Sequence, residues 1–442
     1  MRRSSPPGQT SVKFDPSGRL TGTVTPPADK SISHRAALFG AMSDEPVSVR
    51  NYLRAEDTES TLNAVQALGA GVQDSGDEIL IRGVGLHTPA EVTGGRLDVG
   101  NSGTLLRLLP GWLAGQPGGE WTLDGDDSIR RRPVDRVAEP LRRMGCSIDT
   151  REGGLPPMRV RGTSLTGIDY DMPVASAQVK TCVLIAGLLA AGSTSVSEPS
   201  QSRDHTERLL GRARVPFTRD GLTVGVHPVD ELELDEITVP GDPSSAAFHA
   251  VAACIVPGSR IVIDGMCLNW TRTGFFRIAQ RMGAVMLGDL EEPGQGSATE
   301  EPIGELDVAA APLVATEVLP EEVPLAIDEL PLVALLGCFA EGDTVVRGAE
   351  ELRVKETDRI AGVVEGLNGL GASLEATDDG FVVHGGTGIE GGTIDSRGDH
   401  RLAMLGAVAG LASRSGVEVL GMDAAAVSYP RFEDDLRRLL EG

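Results

Sequence analysis

Apolar positions in this chain gather into six short, almost uninterrupted aliphatic runs: AALFGAM, LLRLLPGWLAG, VKTCVLIAGLLAAG, AAFHAVAACIVPG, LVALLGCFAEG and LAMLGAVAGLA. A run that is apolar all round predicts a helix buried on every side. A small polar cluster opens each one: Lys30-Ser-Ile-Ser-His-Arg35, Asn101-Ser-Gly-Thr104, Ser176-Ala-Gln178, Asp242-Pro-Ser-Ser245, Asp328-Glu-Leu-Pro331 and Asp399-His-Arg401. Ser, Asn and Asp in such places are N-cap residues. The chain therefore presents the N-terminus of a buried helix again and again, where free N–H groups and the helix dipole favour anions. From Lys30 the openings follow at steps of 71, 75, 66, 86 and 71 residues.

A second pattern alternates with the first. LNAVQALGAGV, LRRMGCSI, IAQRMGAVM and LNGLGASL each predict an amphipathic helix closed by a left-handed Gly and followed by a strand. Weaker versions are ERLLGRARV (Glu207 to Val215) and the C-terminal FEDDLRRLLEG. The repeating unit is thus two helices and several short strands in about 70 residues, longer than the 20–50 residues of common solenoid repeats. No terminal copy is polar enough to cap an open stack. Two closed groups of three copies fit better, with buried helices inside and amphipathic helices and strands outside.

At 442 residues two domains are expected. Aromatics make up only 3% of the chain, so the cores must be aliphatic, and 56 glycines suit many tight turns. A net charge of −24 argues against nucleic acid and anionic membranes as partners, and makes local clusters of cations stand out. Five cysteines without CxxC spacing predict a reduced, cytoplasmic protein. The N-terminal MRRSSPPGQTSVKF lacks an apolar signal region, and no apolar stretch reaches membrane-spanning length. Residues 1–12 are expected to form a flexible tail, and Gly288 to Pro302 a solvated loop with no site in it.

The candidate chemistry lies at the helix openings. Lys30, Ser31 and Arg35 sit on or near a first helical turn, where the dipole disfavours cations unless an anion lies between them. RRRP (Arg130 to Pro133) is a second basic cluster ahead of a helix. Arg353-Val-Lys-Glu-Thr-Asp-Arg359 is the densest charged cluster, and helical spacing puts Lys355 and Arg359 on one face with Glu356 offset by one. Asp328 and Asp399 each open a buried helix, as does Asp242, whose reading is a plain N-cap. Arg401 is again a cation at an unfavourable helix start. The 7 histidines show no metal-ligand spacing.

Together and in this order, DKSISHR, GNSGT, RRRP, SAQVK, DELP, RVKETDR and DHR resemble the motif set of the 5-enolpyruvylshikimate-3-phosphate synthase family, over about residues 20 to 436. The resemblance implies an α/β fold of two inverse α/β barrel domains, each of three repeated βαβαββ units. It implies boundaries near Ala28 and Pro240: residues 1–28 and 241–442 form one discontinuous domain, 29–240 the other, with the active site in the cleft between them. The implied reaction moves the enolpyruvyl group of phosphoenolpyruvate to the 5-hydroxyl of shikimate 3-phosphate, with no metal and no cofactor, in a cytoplasmic monomer. Asp328 is expected as the base, Glu356 as the proton donor to C3, and Lys30 as a participant that touches both substrates. Shikimate 3-phosphate would be held by Lys30, Ser31, Arg35, Ser176, Ala177, Gln178, Ser202, Asp328 and Lys355. Phosphoenolpyruvate would be held by Lys30, Gly103, Arg132, Gln178, Arg359 and Arg401.

Two positions depart from the family pattern. Ala177 replaces the second Ser of a Ser-Ser-Gln motif, and Val427 stands where many members carry a Lys ahead of Ser428-Tyr429-Pro430. Arg203 and Lys180 are the alternative cations for that missing charge. The related UDP-N-acetylglucosamine enolpyruvyl transferases would show Lys-Asn at the first motif and a reactive Cys on a mobile loop. Here Ser31 follows Lys30, and Cys146 sits at a helix-to-strand junction. A binding module that keeps the fold without catalysis would have lost Asp328, Glu356 or the arginines; all are present.

Overall fold

The computed structural model describes residues 10–88, 95–294 and 299–441. They divide into two compact units. One takes in Ala28–Pro240 together with residues up to Pro302 of the segment that follows Gly294; the other holds the chain as far as Pro27, Gly241–Gly294 and the chain from Ile303 onward.

All six aliphatic runs are helices: Lys30–Met42, Gly103–Ala114, Ala177–Gly187, Pro243–Ile255, Leu330–Phe339 and His400–Leu411. Every residue of Pro243–Ile255 and His400–Leu411 is buried, as an all-apolar helix requires. Five of the six are capped by a side chain at the start. Asp29 accepts from Ile32 N at 2.9 Å, Ser102 from Leu105 N at 3.1 Å, Ser176 from Val179 N at 3.4 Å, Asp242 from Ser244 N at 2.8 Å and Asp399 from Arg401 N at 2.8 Å. The exception is Leu330–Phe339, whose cap position is Glu329 and makes no such bond. Asp328 therefore does not cap the helix it precedes.

The amphipathic helices end as their glycines predict. Gly69, Gly145, Gly283 and Gly371 all have φ near +100°. In ERLLGRARV, however, Gly211 lies inside the His205–Arg212 helix, and Arg214 takes the left-handed position with φ 54°. A non-glycine residue there costs about 1–2 kcal/mol, so the sequence signal was weak for a physical reason.

One copy shows the repeat in full: strand Arg96–Asp98, helix Gly103–Ala114, strand Glu120–Asp124, helix Asp135–Arg143, and the hairpin Ser147–Arg151 with Leu155–Arg161. The first two strands pair in parallel, and the last strand lies between the second and third, antiparallel to both. Asp169–Asp171 to Thr223–Val226 and Glu317–Val318 to Phe381–His384 repeat this βαβαββ order. The remaining copies borrow strands. Glu236–Thr238 pairs in parallel with Val47–Arg50 and completes the copy that Lys30–Met42 begins. Thr21–Val24 pairs in parallel with Arg260–Cys267 in the other unit. Ser11–Phe14 runs antiparallel to Val417–Leu420 and takes the place of a hairpin strand.

That last pairing corrects the expected tail: residues 11 and 12 are part of a sheet, while 1–9 lie outside the described residues. Most described residues of the expected solvated loop are exposed, Gly288, Asp289, Glu292, Pro293, Gly294, Thr299 and Glu300 among them, but its end is anchored. Glu301 is mostly buried and its Oε1 is 2.6 Å from His205 Nδ1, while the Glu300 carbonyl accepts from Arg208 at 2.6 Å. Among the described residues, no helix is long and apolar enough to cross a membrane.

Candidate active site

In the Ala28–Pro240 unit, Lys30 opens its helix with its ammonium 3.0 Å from Asp57 Oδ2. Asp57 is buried, which opposes its ionisation, but Lys30 and His34 beside it outweigh burial and hold the carboxyl far below its usual range. His34 bonds Thr61 at 2.7 Å, and burial keeps its imidazole neutral by lowering its pKa. Arg35 is buried and engaged on every nitrogen: Nε donates to Thr206 at 2.9 Å, NH1 to the Ser31 carbonyl at 3.0 Å and NH2 to Thr181 at 2.8 Å. Burial lowers its pKa to about 10, still a cation at neutral pH. Arg203, adjacent in sequence to Ser202, reaches the Ser31 hydroxyl at 3.3 Å.

The helix Gly103–Ala114 brings a second group together. Arg107, one turn after Gly103, donates to the Gly103 carbonyl at 3.1 Å and points toward Gln178 Oε1 at 3.5 Å, while Gln178 Nε2 donates to Thr104 at 3.1 Å. A methyl on Gly103 would lie 2.6 Å from an Arg132 nitrogen and 3.1 Å from an Arg107 nitrogen. Gly103, Arg132 and Gln178 are thus neighbours around Arg107, a residue the sequence reading passed over. The signal was a lone arginine inside LLRLLPGWL.

Lys180 does not stand in for the missing C-terminal lysine. It is fully buried between Glu198 at 2.7 Å and Glu207 at 2.6 Å. Burial favours its neutral form, yet the two glutamates override burial and raise its pKa. Ser202 donates its hydroxyl to the same Glu198.

In the other unit, Arg359 is the hub. Its Nε donates to Asp399 Oδ2 at 2.8 Å, NH1 to Asp328 Oδ1 at 3.2 Å and NH2 to Glu356 Oε2 at 2.5 Å. Lys355 lies 3.6 Å and Arg401 3.7 Å from Asp328, and Arg401 also lies 3.6 Å from Glu329. Burial disfavours the guanidinium charge of Arg359, but Asp399, Glu356 and Asp328 more than reverse this and push its pKa up. The cluster is not built on a continuous helix, contrary to the expected shared face. Glu350–Val354 is a 3-10 turn, and the α-helix starts at Arg359 because Asp358 caps Ala361 N at 3.0 Å. Residues 355–357 are a connecting turn, which is how Lys355 and Arg359 both reach Asp328.

The family model for EPSP synthase (3-phosphoshikimate 1-carboxyvinyltransferase) matches residues 14–436. The chain belongs to the EPSP synthase family. Sequences named 3-phosphoshikimate 1-carboxyvinyltransferase support the same placement. That of Shouchella clausii is 45% identical over 421 residues, 95% of this chain and 96% of the relative, and that of Synechococcus sp. is 46% identical over 440 residues, 97% and 99% of the two chains. The solved EPSP synthase of Acinetobacter baumannii superposes with a TM-score of 0.84 at 38% identity over 98% of both chains. The enolpyruvyl transferase NikO of Streptomyces tendae, at 18% identity and TM-score 0.76, shares the fold. As an EPSP synthase family member the chain also departs from the sugar-nucleotide enzymes at its candidate cysteine. Cys146 is buried, and burial pushes its thiol up to about 11, unlike a nucleophile.

Proposed function

We propose that this chain transfers the enolpyruvyl group of phosphoenolpyruvate to the 5-hydroxyl of shikimate 3-phosphate, releasing phosphate, in the shikimate route to aromatic amino acids. Family membership over residues 14–436 supports the reaction. The observation that carries the residue roles is the convergence of Lys355, Arg359 and Arg401 on Asp328, with Glu356 held on the buried Arg359. Asp328 does not occupy the cap position of the helix that follows, and a carboxylate placed among substrate-binding cations is positioned to accept the proton of a hydroxyl.

Asp328 takes the 5-hydroxyl proton as oxygen adds to C2 of phosphoenolpyruvate, and Glu356 delivers a proton to C3. The tetrahedral adduct then loses phosphate from C2 and a proton from C3, which restores the double bond in the enol ether product. Lys30 touches both substrates, and Asp57 keeps it oriented. Ser31, Arg35, Ser176, Ala177, Gln178, Ser202 and Lys355 hold shikimate 3-phosphate, while Gly103, Arg132, Gln178, Arg359 and Arg401 hold phosphoenolpyruvate. Arg35 acts through the geometry it imposes on Ser31 and the Ala177 carbonyl, since its own nitrogens are already engaged. Free, buried thiols agree with a reducing, cytoplasmic setting, and we take the working form to be a monomer.

Phosphate release is the test, with phosphoenolpyruvate plus either shikimate 3-phosphate or UDP-N-acetylglucosamine as acceptor. Release is expected with shikimate 3-phosphate only. Release with the sugar nucleotide alone overturns the assignment.

A further inference from the structure

Gly103 opens a helix just after one turn, and Arg132 closes another. If both contact phosphoenolpyruvate, as proposed above, something must fix one turn against the other, and the role assigned to Asp124 below rests on that reading. Both turns are tied to the segment Asp124–Asp126, one through the Asp124 side chain and the other through the backbone. Asp124, the last residue of strand Glu120–Asp124, is 3% exposed. Its carboxylate accepts from Arg130 twice, Nε to Oδ1 at 3.0 Å and NH2 to Oδ2 at 2.9 Å. It also accepts from the Gly125 amide at 2.9 Å and from Arg96 at 2.9 Å. A two-point guanidinium–carboxylate fork fixes orientation as well as distance.

Backbone bonds carry that orientation to both turns. The Asp124 carbonyl accepts from Val99 N at 2.8 Å, and Asp126 N donates to the Gly100 carbonyl at 2.9 Å, tying in the turn that leads to Gly103. Gly125 runs so close that a methyl there would lie 2.2 Å from the Gly100 oxygen. On the other side Asp126 Oδ1 accepts from Ile129 N at 2.9 Å, and Arg132 N donates to the Ile129 carbonyl at 2.9 Å, closing the 3-10 turn Ile129–Arg131. The Arg130 carbonyl in turn accepts from Arg151 at 2.5 Å.

The side chains of Arg130 and Arg96 are 39% and 62% exposed. Ion pairs this open stabilise a fold little, so a four-donor carboxylate is more than stability needs. We propose that Asp124 is a positioning residue, which through its fork on Arg130 fixes the 129–132 turn and so holds the guanidinium of Arg132 beside Gly103.

The test measures phosphate release with KM determined separately for phosphoenolpyruvate and shikimate 3-phosphate, alongside thermal melts, for Asp124→Asn, Arg130→Ala, Arg130→Lys, Arg96→Ala and Arg132→Ala. Misplacement by an ångström is costly in an active site. Asp124→Asn and Arg130→Ala are therefore expected to raise KM for phosphoenolpyruvate about tenfold or more, with KM for shikimate 3-phosphate within about twofold. Arg130→Lys keeps the charge but loses the fork, and is expected to follow Arg130→Ala. Arg96→Ala leaves the fork intact and is expected to stay within about twofold of wild type on both constants. Because Arg130 is largely at the surface, its variants keep the question answerable if Asp124→Asn fails to fold. The inference is overturned if the Arg130 variants leave phosphoenolpyruvate KM unchanged while Arg132→Ala raises it, which leaves the site reading standing. It is also overturned if both substrate constants rise equally. If Arg132→Ala itself leaves phosphoenolpyruvate KM unchanged, the site reading falls and the inference with it.

Discussion

Asp328→Asn and Asp399→Asn should have opposite consequences, although the two aspartates open equivalent helices in the sequence. Asn keeps the shape of Asp and one acceptor oxygen but removes the charge. At position 328 the carboxylate precedes the cap position of its helix, and its partners include Arg359 at 3.2 Å, Lys355 at 3.6 Å and Arg401 at 3.7 Å. Arg359 keeps Asp399 and Glu356 in the variant, so the lost stability is the difference between charged and neutral hydrogen bonding, about 1–2 kcal/mol. In a unit of this size that shifts the melting temperature by a few degrees. Turnover should fall by about 10²–10⁴, or roughly 3–5 kcal/mol of barrier, if the missing function is proton abstraction. Asp399 is fully buried and binds Arg401 N at 2.8 Å, Arg359 Nε at 2.8 Å and Thr357 at 3.1 Å. Asp328 and Glu356 still face Arg359 in this variant, but Asp399 is its most buried carboxylate and also the helix cap, so neutralising it costs up to about 3–5 kcal/mol and the primary phenotype is instability. Steady-state phosphate release and denaturant melts on both variants separate the two. Asp328→Asn turning over within tenfold of wild type would reduce Asp328 to a structural ion-pair partner. Asp399→Asn that melts with wild type would show that Arg359 does not depend on it.

Gly103→Ala places a methyl 2.6 Å from the flexible end of Arg132; stability should hold while KM for phosphoenolpyruvate rises several-fold, and unchanged KM would place Arg132 elsewhere in the working enzyme. Lys180→Met strands Glu198 and Glu207 without their shared buried cation, so urea denaturation should show a loss of about 3–5 kcal/mol, and stability equal to wild type would mean that the two carboxylates are already protonated. His249 accounts for a pH effect: burial holds its folded pKa at about 4, below the ordinary 6.5, so the unfolded chain binds the extra proton between those values. Its stabilising contribution is complete above pH 6.5 and is lost as pH falls toward 4, at up to about 1.4 kcal/mol per unit; His249→Gln should flatten the stability–pH curve over that window, and an unaltered slope refutes the buried neutral state.

What the sequence disclosed and what it hid separate along physical lines. Burial of the six aliphatic helices was legible because their composition leaves no polar face, and Asp29, Ser102 and Asp399 are short polar side chains where a cap is needed. The difference between Asp328 and Asp399 was not legible, since it depends on whether the next residue or the aspartate itself occupies the cap position. The turn at 355–357 was masked because Lys355 and Arg359 have helical spacing, while the capping Asp358 between them breaks the helix. Asp57, Asp124 and Arg107 were passed over for a common reason. Asp57 and Arg107 meet partners distant in sequence, Lys30 and Gln178, and Asp124 meets Arg130 across an irregular turn, so no helical or strand periodicity marks these contacts.

The borrowed strands set a schedule for synthesis. A ribosome adds about 5–20 residues per second. The strand Val47–Arg50 emerges early but waits for Glu236–Thr238 before its sheet has both neighbours. Ser11–Phe14 waits longest: its partner Val417–Leu420 is made roughly 400 residues later, some 20–80 seconds at that pace. Throughout that interval an open strand edge is available to other chains. The sequence there, SVKF, carries a lysine and spans only four residues, features that keep an unpaired edge from recruiting the wrong partner while the far end of its own chain is still being made.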